Sequence, residues 1–561
     1  MTSQLSTSNR NTIATLIAVS VFFSGMSSMM TEFNLSSIST MILGNANQQW
    51  ALTIAIMLLA MGVGGFTQKF LDNSKLMLKF MSVELLLSFA GSFAPIAIFA
   101  SFAYMPDHFV LIHYFSIFTI GFLVGFEVPL AVRIIEFYKP KLSDNLAFVF
   151  GSEYLGTFIG AIIFVSLILG YVAFTEASFM ISGVNLIVAL ISFIFFIKVI
   201  NPKLEKEEQI NVKMIYVVIL ITVISIVFGY MNVNKWEVKI EQKLYADPIV
   251  QTFTSPFQRI VLTEHKRTGM HRMYINGNTQ WAESDEFIYH DMTVHPIMSL
   301  TKNHNNILVL GGGDGLVVRE LKKYDDIGNI TLVDLDKQMI EFSKTNPIMR
   351  KLNKDAFIGV KTITPKAVFA GKTEKYRVEV EKGKFKTVAN LSTVFIDANN
   401  FLNEVDGKFD VVIIDLPDPS TVELSKLYSK GFYLNLKRRM TDNAMVVIQG
   451  TSSFHAKESY LMIGRTLAAA GFHVKPYHQN VPSFGEWGWW FGWKDTKSKD
   501  LIDTRLESAT IDVETDYIDE ATMKASFIFG KNMLTNPTHN DINTWMKPKL
   551  VEVYNEEWKD Y

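Results

Sequence analysis

The chain has no cysteine among its 561 residues. That excludes disulfides, thiolate metal sites and cysteine nucleophiles. It leaves the redox compartment open, since a cysteine-free chain is tolerated on either side of a membrane. An excess of one charge is equally absent. Lys and Arg number 53 against 55 Asp and Glu, a formal net charge of −2. There is thus no basic footprint for a nucleic acid and no polyanionic tail. A third scarcity is local: up to about residue 230, charges are rare and Phe, Ile, Leu, Met, Val, Gly and Ala dominate. Beyond that the sequence is ordinary and mixed, with short alternating apolar runs.

A spanning helix needs about 20 mostly apolar residues. Seven segments qualify, roughly 12–31, 50–67, 77–102, 109–132, 146–173, 178–200 and 213–231. Arg10 before the first run is a pattern shared with signal peptides, but further spans follow at once, which favours an uncleaved anchor. Loops containing Lys69, Lys75 and Lys79, then Lys139 and Lys141, then Lys198, Lys203, Lys206 and Lys213 alternate with loops near 33–48, 103–108 and 174–177 that lack Lys and Arg. The positive-inside rule places the basic loops in the cytoplasm. Glu32, Glu84, Glu127 and Glu153 lie in or near the spans. Carboxylates there are costly and mark functional sites. For Glu127, beside Pro129, the reading is a cation site or proton relay. The bland alternative is a glutamate near a span end, paired with Arg133 or reaching the interface.

After residue 231 the patterns change. WEVKIEQKLYA, FQRIVLTE and HRMYINGNTQW read as a small antiparallel sheet over about 236–285, with Asn276-Gly277 as a hairpin turn. In NNILVLGGGDGLVVREL, a short apolar strand meets Gly311, Gly312, Gly313, Asp314 and Gly315, then a helix. Glycines at such a turn let a ligand approach the backbone. NITLVDLD follows, ending at Asp334, where a Rossmann-type fold puts its ribose-binding acid. A dinucleotide fingerprint would need glycine at position 316, which is leucine. The G-x-G-x-G spacing at 311, 313 and 315 suits an adenosyl ligand without pyrophosphate. STVFIDANNFL and FDVVIIDLPDPS supply two further strand ends, at Asp397 with Ala398 and at Asp415 with Asp418. In doubly wound sheets ligands sit off the carboxyl ends of the strands. A carboxylate there can bind an amine, take its proton and aim its lone pair, while Pro417 and Pro419 stiffen the loop.

Together these motifs resemble the spermidine synthases, or polyamine aminopropyltransferases, over roughly residues 236–555. WAESDEFIYHDMTVHP (281–296), LGGGDG, VDLD and IIDLPDP occur in the family's order. The resemblance implies transfer of the aminopropyl group of decarboxylated S-adenosylmethionine, a co-substrate, to putrescine or a related amine, with release of 5′-methylthioadenosine. No prosthetic group or metal is implied. Gln258, Gln280 and Asp334 would bind the thioadenosine part, against the Gly311 and Gly313 turn, with Asp397 and Ala398 at adenine. Asp314 would hold the donor's ammonium, Asp415 would be the catalytic acid/base, and Asp418, Tyr289, His290 and Trp487 would line the amine channel. Trp489, Trp490 and Trp493 are expected to pack. Phe257, Ala398, Asp291 and the continuation DPSTVE depart from the family pattern, which leaves the acceptor open. Competing readings are an S-adenosylmethionine-dependent N-methyltransferase and a non-catalytic polyamine sensor or transporter.

The expected architecture is a multi-span helical membrane domain followed by an α/β part. Residues 1–231 would form about seven spans, 232–295 a small antiparallel β domain, and 296–561 a Rossmann-like doubly wound domain with an inserted hairpin near 365–393. The protein would be multi-pass in the cell membrane, and the resemblance implies a homodimer or higher homo-oligomer. Seven crossings from a cytoplasmic start leave everything after residue 231 outside, whereas the implied donor is made in the cytosol. Either one apolar segment does not cross, with 213–231 interfacial or re-entrant, or the N-terminus is outside, or the domain works on the far side with imported substrate.

Overall fold

The computed structural model describes residues 7–43, 46–139, 141–201, 212–370, 376–381, 384–494, 496–535 and 537–559. The charged segment 202–211, with Lys203 and Lys206, lies outside the described residues. The chain divides into two compact units, Met1–Ile249 and Val250–Tyr561.

Unit one is helical: α1 (Thr7–Leu43), α2 (Ala46–Thr67), α3 (Leu76–Tyr104), α4 (Pro106–Tyr138), α5 (Leu142–Ile163), α6 (Phe174–Phe195) and α7 (Val212–Glu241). Among the described residues, seven helices are long and apolar enough to cross a membrane. Small residues let them approach closely, as expected where apolar solvent gives no hydrophobic drive between helices. A side chain at Gly125 of α4 would run into the Met61 carbonyl of α2, and one at Gly156 of α5 into the Phe22 carbonyl of α1.

Two readings are corrected here. The expected loop at 33–48 is largely helix, since α1 continues to Leu43. WEVKIEQKLYA is not a strand: α7 runs unbroken through it to Glu241, followed by a turn at Gln242–Leu244. Once a helix has nucleated, each further residue adds a hydrogen bond at little cost, and this outweighs a short alternating pattern. As one helix of 30 residues, α7 is no shortened segment; at 1.5 Å per residue it measures about 45 Å.

Unit two opens with a four-stranded sheet, β1 (Ile249–Thr254), β2 (Arg259–Glu264), β3 (His271–Ile275) and β4 (Asn278–Ala282). Strands β2, β3 and β4 pair antiparallel. Asn276 and Gly277 join β3 to β4 with φ of 51° and 86°, the double left-handed turn that such hairpins need.

There follow α8 (Glu286–Leu300), β5 (Asn306–Gly311), α9 (Leu316–Leu321), β6 (Asn329–Asp334), α10 (Lys337–Thr345), α11 (Pro347–Leu352) and β7 (Lys361–Thr362). Strands β8 (Tyr376–Glu381) and β9 (Lys384–Val388) pair as a separate antiparallel hairpin. Then come β10 (Asn390–Phe395), α12 (Ala398–Glu404), β11 (Phe409–Asp415), α13 (Val422–Ser425), α14 (Lys430–Arg438), β12 (Met440–Ser452), α15 (Lys457–Ala469), β13 (Phe472–Val481), β14 (Gly485–Lys494), α16 (Leu501–Ser508), α17 (Glu520–Ala525) and α18 (Lys549–Glu557).

The main sheet has the order β13-β14-β12-β11-β5-β6-β10-β7. It is parallel from β12 to β7 and antiparallel at β14 and β13. Its strands are continuous apolar runs because both faces are covered. Ile307, Val309, Val411 and Ile413 enter one core, and Leu308, Leu310, Val412 and Ile414 the other. The chain leaves β5 towards β6 and β10, then returns to the other side of β5 as β11. That reversal opens a crevice at the carboxyl ends of β5 and β11.

Candidate functional site

Asp415 is the last residue of β11 and pairs in register with Gly311, the last residue of β5. Gly311 has φ of 83°, and a side chain there would strike the Asp415 carbonyl; the two strand ends close only over glycine. Tyr289 of α8 donates its hydroxyl to Asp415 Oδ1 at 2.6 Å. Oδ2 is buried and has no hydrogen-bond partner among the described residues. Burial raises the Asp415 pKa, opposed by the His290 charge and the Tyr289 hydrogen bond. Burial also lifts the Tyr289 phenol well above its usual value, with Asp415 adding to it, so the phenol stays a donor.

The glycine turn carries Asp314, buried, with Oδ1 accepting from the Leu316 N–H at 3.0 Å. Burial pushes its carboxyl up to about 6, with the neighbouring Asp415 adding and His290 opposing. His290 Nδ1 sits 2.8 Å from Glu286 Oε2. Burial acts to lower the imidazole pKa, but Glu286 overrides it and the net shift is upward. Arg319 holds Glu286 with two bonds, 2.6 and 2.9 Å. Nearby, Asp291, His295 and Glu320 lie within reach of one shared cation, yet Glu320 already receives Arg319 at 2.7 Å and Lys323 at 2.5 Å. Asp291 instead takes the N–H groups of Asp516, Tyr517 and Ile518 on Oδ2.

At the end of β6, Asp334 Oδ1 accepts from the Asp336 N–H at 2.7 Å, and burial pushes its carboxyl up to about 7. A side chain at Gly313 would come within 2.6 Å of Asp334 Oδ2. Gln258 does not bond Asp334; its Nε2 donates to Asp336 Oδ2 at 2.8 Å, which also takes the Ser255 hydroxyl at 2.6 Å. Asp397 caps α12 through the N–H groups of Asn399 and Asn400 and forms an ion pair with Lys426 at 3.1 Å. Ala398 begins α12 and is buried; Gln280 lies half-buried on β4.

Asp418 is held by neutral donors: Gln449 Nε2 on Oδ1 at 2.9 Å, and Thr451 Oγ1 at 3.0 Å and the Tyr554 hydroxyl at 2.8 Å on Oδ2. Burial raises its pKa and these three bonds oppose the rise. Trp487 Nε1 is buried without a partner among the described residues. Its ring lies 5.1 Å from Phe484, which lies 5.9 Å from Tyr289. Trp489, Trp490 and Trp493, by contrast, give their indole N–H to Thr293, the Tyr460 carbonyl and the Ser498 carbonyl. Asp314, Asp334, Asp415 and Asp418 form no ion pair with Lys or Arg among the described residues. A set of carboxylates this exposed to one another's charge suits a cationic ligand and proton transfer from it.

Residues 286–504 match the spermine/spermidine synthase domain. The polyamine aminopropyltransferase 2 of Aquifex aeolicus is 32% identical over 544 residues, covering 97% of this chain and 99% of that protein. The chain belongs to the polyamine aminopropyltransferase family. The family's enzyme from Oceanobacillus iheyensis is 30% identical, covering 94% of this chain and 95% of that protein. Among solved structures, a spermidine synthase in complex with the transition-state analogue AdoDATO is similar at a TM-score of 0.41 and 23% identity, over 51% of this chain and 88% of that one.

In this aminopropyltransferase, sequence reasoning missed Asp336, Gln449, Thr451 and Tyr554. Asp336 carries a visible signal, an N-cap aspartate before a helix, and it does cap α10. Gln449 is a polar residue at the end of the apolar run MVVI, another readable sign. Tyr554 carries none, being 136 positions from Asp418.

Proposed function

We propose that Asp415 is the proton acceptor in an aminopropyl transfer from decarboxylated S-adenosylmethionine to a diamine, with 5′-methylthioadenosine as the other product. The amine lone pair attacks the propyl carbon next to sulfur. The C–N bond forms as the C–S bond breaks, and the bonding pair returns to sulfur, which becomes a neutral thioether. The nitrogen gives up a proton. Asp415 suits this role because Tyr289 occupies one oxygen and the other, beside Gly312 of the glycine turn, has no hydrogen-bond partner among the described residues. Asp314 on the glycine turn attracts the donor's ammonium, and would repel the carboxylate of the undecarboxylated donor. Asp334, with Gln258 steered by Asp336, takes the ribose side, while Gln280 lines the thioadenosine pocket and Asp397 and Ala398 face adenine. Asp418 keeps room on Oδ1 for a distal ammonium, and the unpartnered Trp487 indole walls the aliphatic chain. His290, bonded to Glu286, steadies the neighbouring carboxylates. The seven apolar helices support an integral-membrane placement for the enzyme.

The observation that carries the reading is the half-satisfied Asp415 beside Asp314 at the β5–β11 crevice. Its test is 5′-methylthioadenosine release by the purified full chain, given the decarboxylated donor and a panel of amines, with intact S-adenosylmethionine as comparison. Release with one amine, lost in Asp415→Asn, names the acceptor. Methyl transfer from the intact donor, with no release, overturns the assignment.

A further inference from the structure

Inside the helical unit, carboxylates from three helices converge on α1. Ser24 of α1 donates to Glu84 Oε1 of α3 at 3.1 Å, and Glu127 of α4 lies near enough to feel the same hydroxyl. The charges of Glu84 and Glu127 act on one another, as do those of Glu127 and Glu153 of α5. A side chain at Gly25, one residue on from Ser24, would lie 3.2 Å from Glu153 Cγ.

A fourth helix adds an independent group at the same level. Ser178 of α6 bonds the Ser92 carbonyl, and Ser88 bonds the Ser182 carbonyl. Four residues down α3 therefore match four residues up α6. Continuing that antiparallel register brings Asn185 opposite Glu84 and Leu85. From α1, Ser27 bonds the Ile181 carbonyl and Asn34 the Phe174 carbonyl, a register that sets Ser24 opposite the same turn of α6. Asn185 is 6% exposed and Glu84 fully buried. Asn185 Oδ1 and Glu84 Oε2 both lack a hydrogen-bond partner among the described residues. Each is an acceptor, so what is missing is a donor.

Among the described residues, no Lys or Arg forms an ion pair with Glu84, Glu127 or Glu153. Arg133, the sequence-level candidate partner of Glu127, gives its guanidinium to the Gln68 carbonyl and side chain, the Leu71 carbonyl and Asn73. Glu127 itself is 4% exposed, so it reaches no interface. Pairing with Arg133 and escape to the interface are both ruled out. A buried carboxylate charge with no cation beside it is strongly unfavourable.

We propose that Glu84, Glu127 and Glu153, with Ser24 and Asn185, form a binding site for an alkylammonium ion within the helical unit, separate from the crevice that performs transfer. This rests on the reading that unit two handles polyamines. An ammonium offers three hydrogen-bond donors, which suits single acceptors carried by different helices. Several carboxylates together also suit an amine with more than one charge.

The test is equilibrium dialysis of the detergent-solubilised full chain with radiolabelled putrescine. The native chain is expected to bind one putrescine more than Glu84→Gln or Glu127→Gln, and Asn185→Ala to weaken that extra site about tenfold, the order of a lost hydrogen bond to a charged group. Equal binding by native chain and variants overturns the site. Should the variants fail to fold, native protein treated with a hydrophobic carbodiimide replaces them. Putrescine is expected to slow modification of Glu84, Glu127 and Glu153, mapped by mass spectrometry, and unchanged modification overturns the proposal. Methylthioadenosine release is read on the same native preparation. Its absence counts against the transferase reading, while the binding difference still reports on the helical site.

Discussion

At the residue scale, the transfer depends on which carboxylates are ionised. Burial holds Asp314 up to about 6 and Asp334 up to about 7, so in the free enzyme both titrate near neutrality. A carboxyl is neutral below its pKa, and neutral Asp314 has no charge with which to attract an ammonium. Donor affinity is therefore expected to rise as pH increases through 6 to 7, with protons released on binding inside that window. Calorimetry in buffers of different ionisation enthalpy reads the release directly. A flat profile, or proton uptake, would contradict the assignment. 5′-Methylthioadenosine lacks the ammonium and should follow Asp334 alone, losing the lower step. Asp415 makes a second case. Asp415→Asn keeps size and the Tyr289 contact but cannot accept a proton, so kcat should fall about 10²- to 10⁴-fold, the usual contribution of a positioned base. Donor binding should change little. Pre-steady-state mixing separates the two, and a loss confined to donor affinity would move Asp415 out of the chemical step.

At the element scale, the C-terminal helix α18 reaches back to the loop after β11. Tyr554 bonds Asp418, Asn555 bonds the Ser420 carbonyl, and Glu557 caps the start of α15 at Glu458 and Ser459. Tyr554→Phe removes one bond to a buried carboxylate, worth about 1–2 kcal/mol. KM for the amine should rise roughly tenfold, with donor affinity and kcat nearly unchanged. An equal fall in kcat would assign Tyr554 to the chemical step instead. This contact also marks what sequence reading could reach. The β5 turn, the β6 acid and the β11 loop were legible because each is a local pattern of strand, turn and polar end, confined to a few neighbouring residues. The α7 extension through Glu241 was not, since alternation over a few residues cannot compete with a helix already formed. Gln258 bonds Asp336, because capping α10 puts that carboxylate where the glutamine can reach, a contact no local pattern announces. Tyr554 and Asn185 meet their surroundings only through folding, and nothing near them in sequence announces it.

At the scale of the whole molecule, the count of helices decides which side of a membrane the catalytic unit faces. Five helices, α3 to α7, separate the loop holding Lys75 from unit two, and four, α4 to α7, separate from it the junction of α3 and α4, where Asp107 sits in the first turn of α4. If each crosses, residue 266 shares a side with Asp107 and not with Lys75. The basic loops then place it outside. The absence of native cysteine makes this directly measurable, because a single introduced thiol is the only one in the chain. K75C, D107C and K266C all fall at exposed positions. In sealed, right-side-out vesicles an impermeant maleimide is expected to label D107C and K266C, and K75C only after the membrane is opened. The opposite grouping, with K266C protected alongside K75C, would mean that one of these helices does not cross, despite the unbroken length of α7. The grouping also bears on substrate supply. An outside catalytic unit needs its sulfonium donor delivered across the bilayer, whereas an inside one draws on the compartment where the donor is made. The labelling pattern therefore selects between an enzyme that depends on donor export and one that does not.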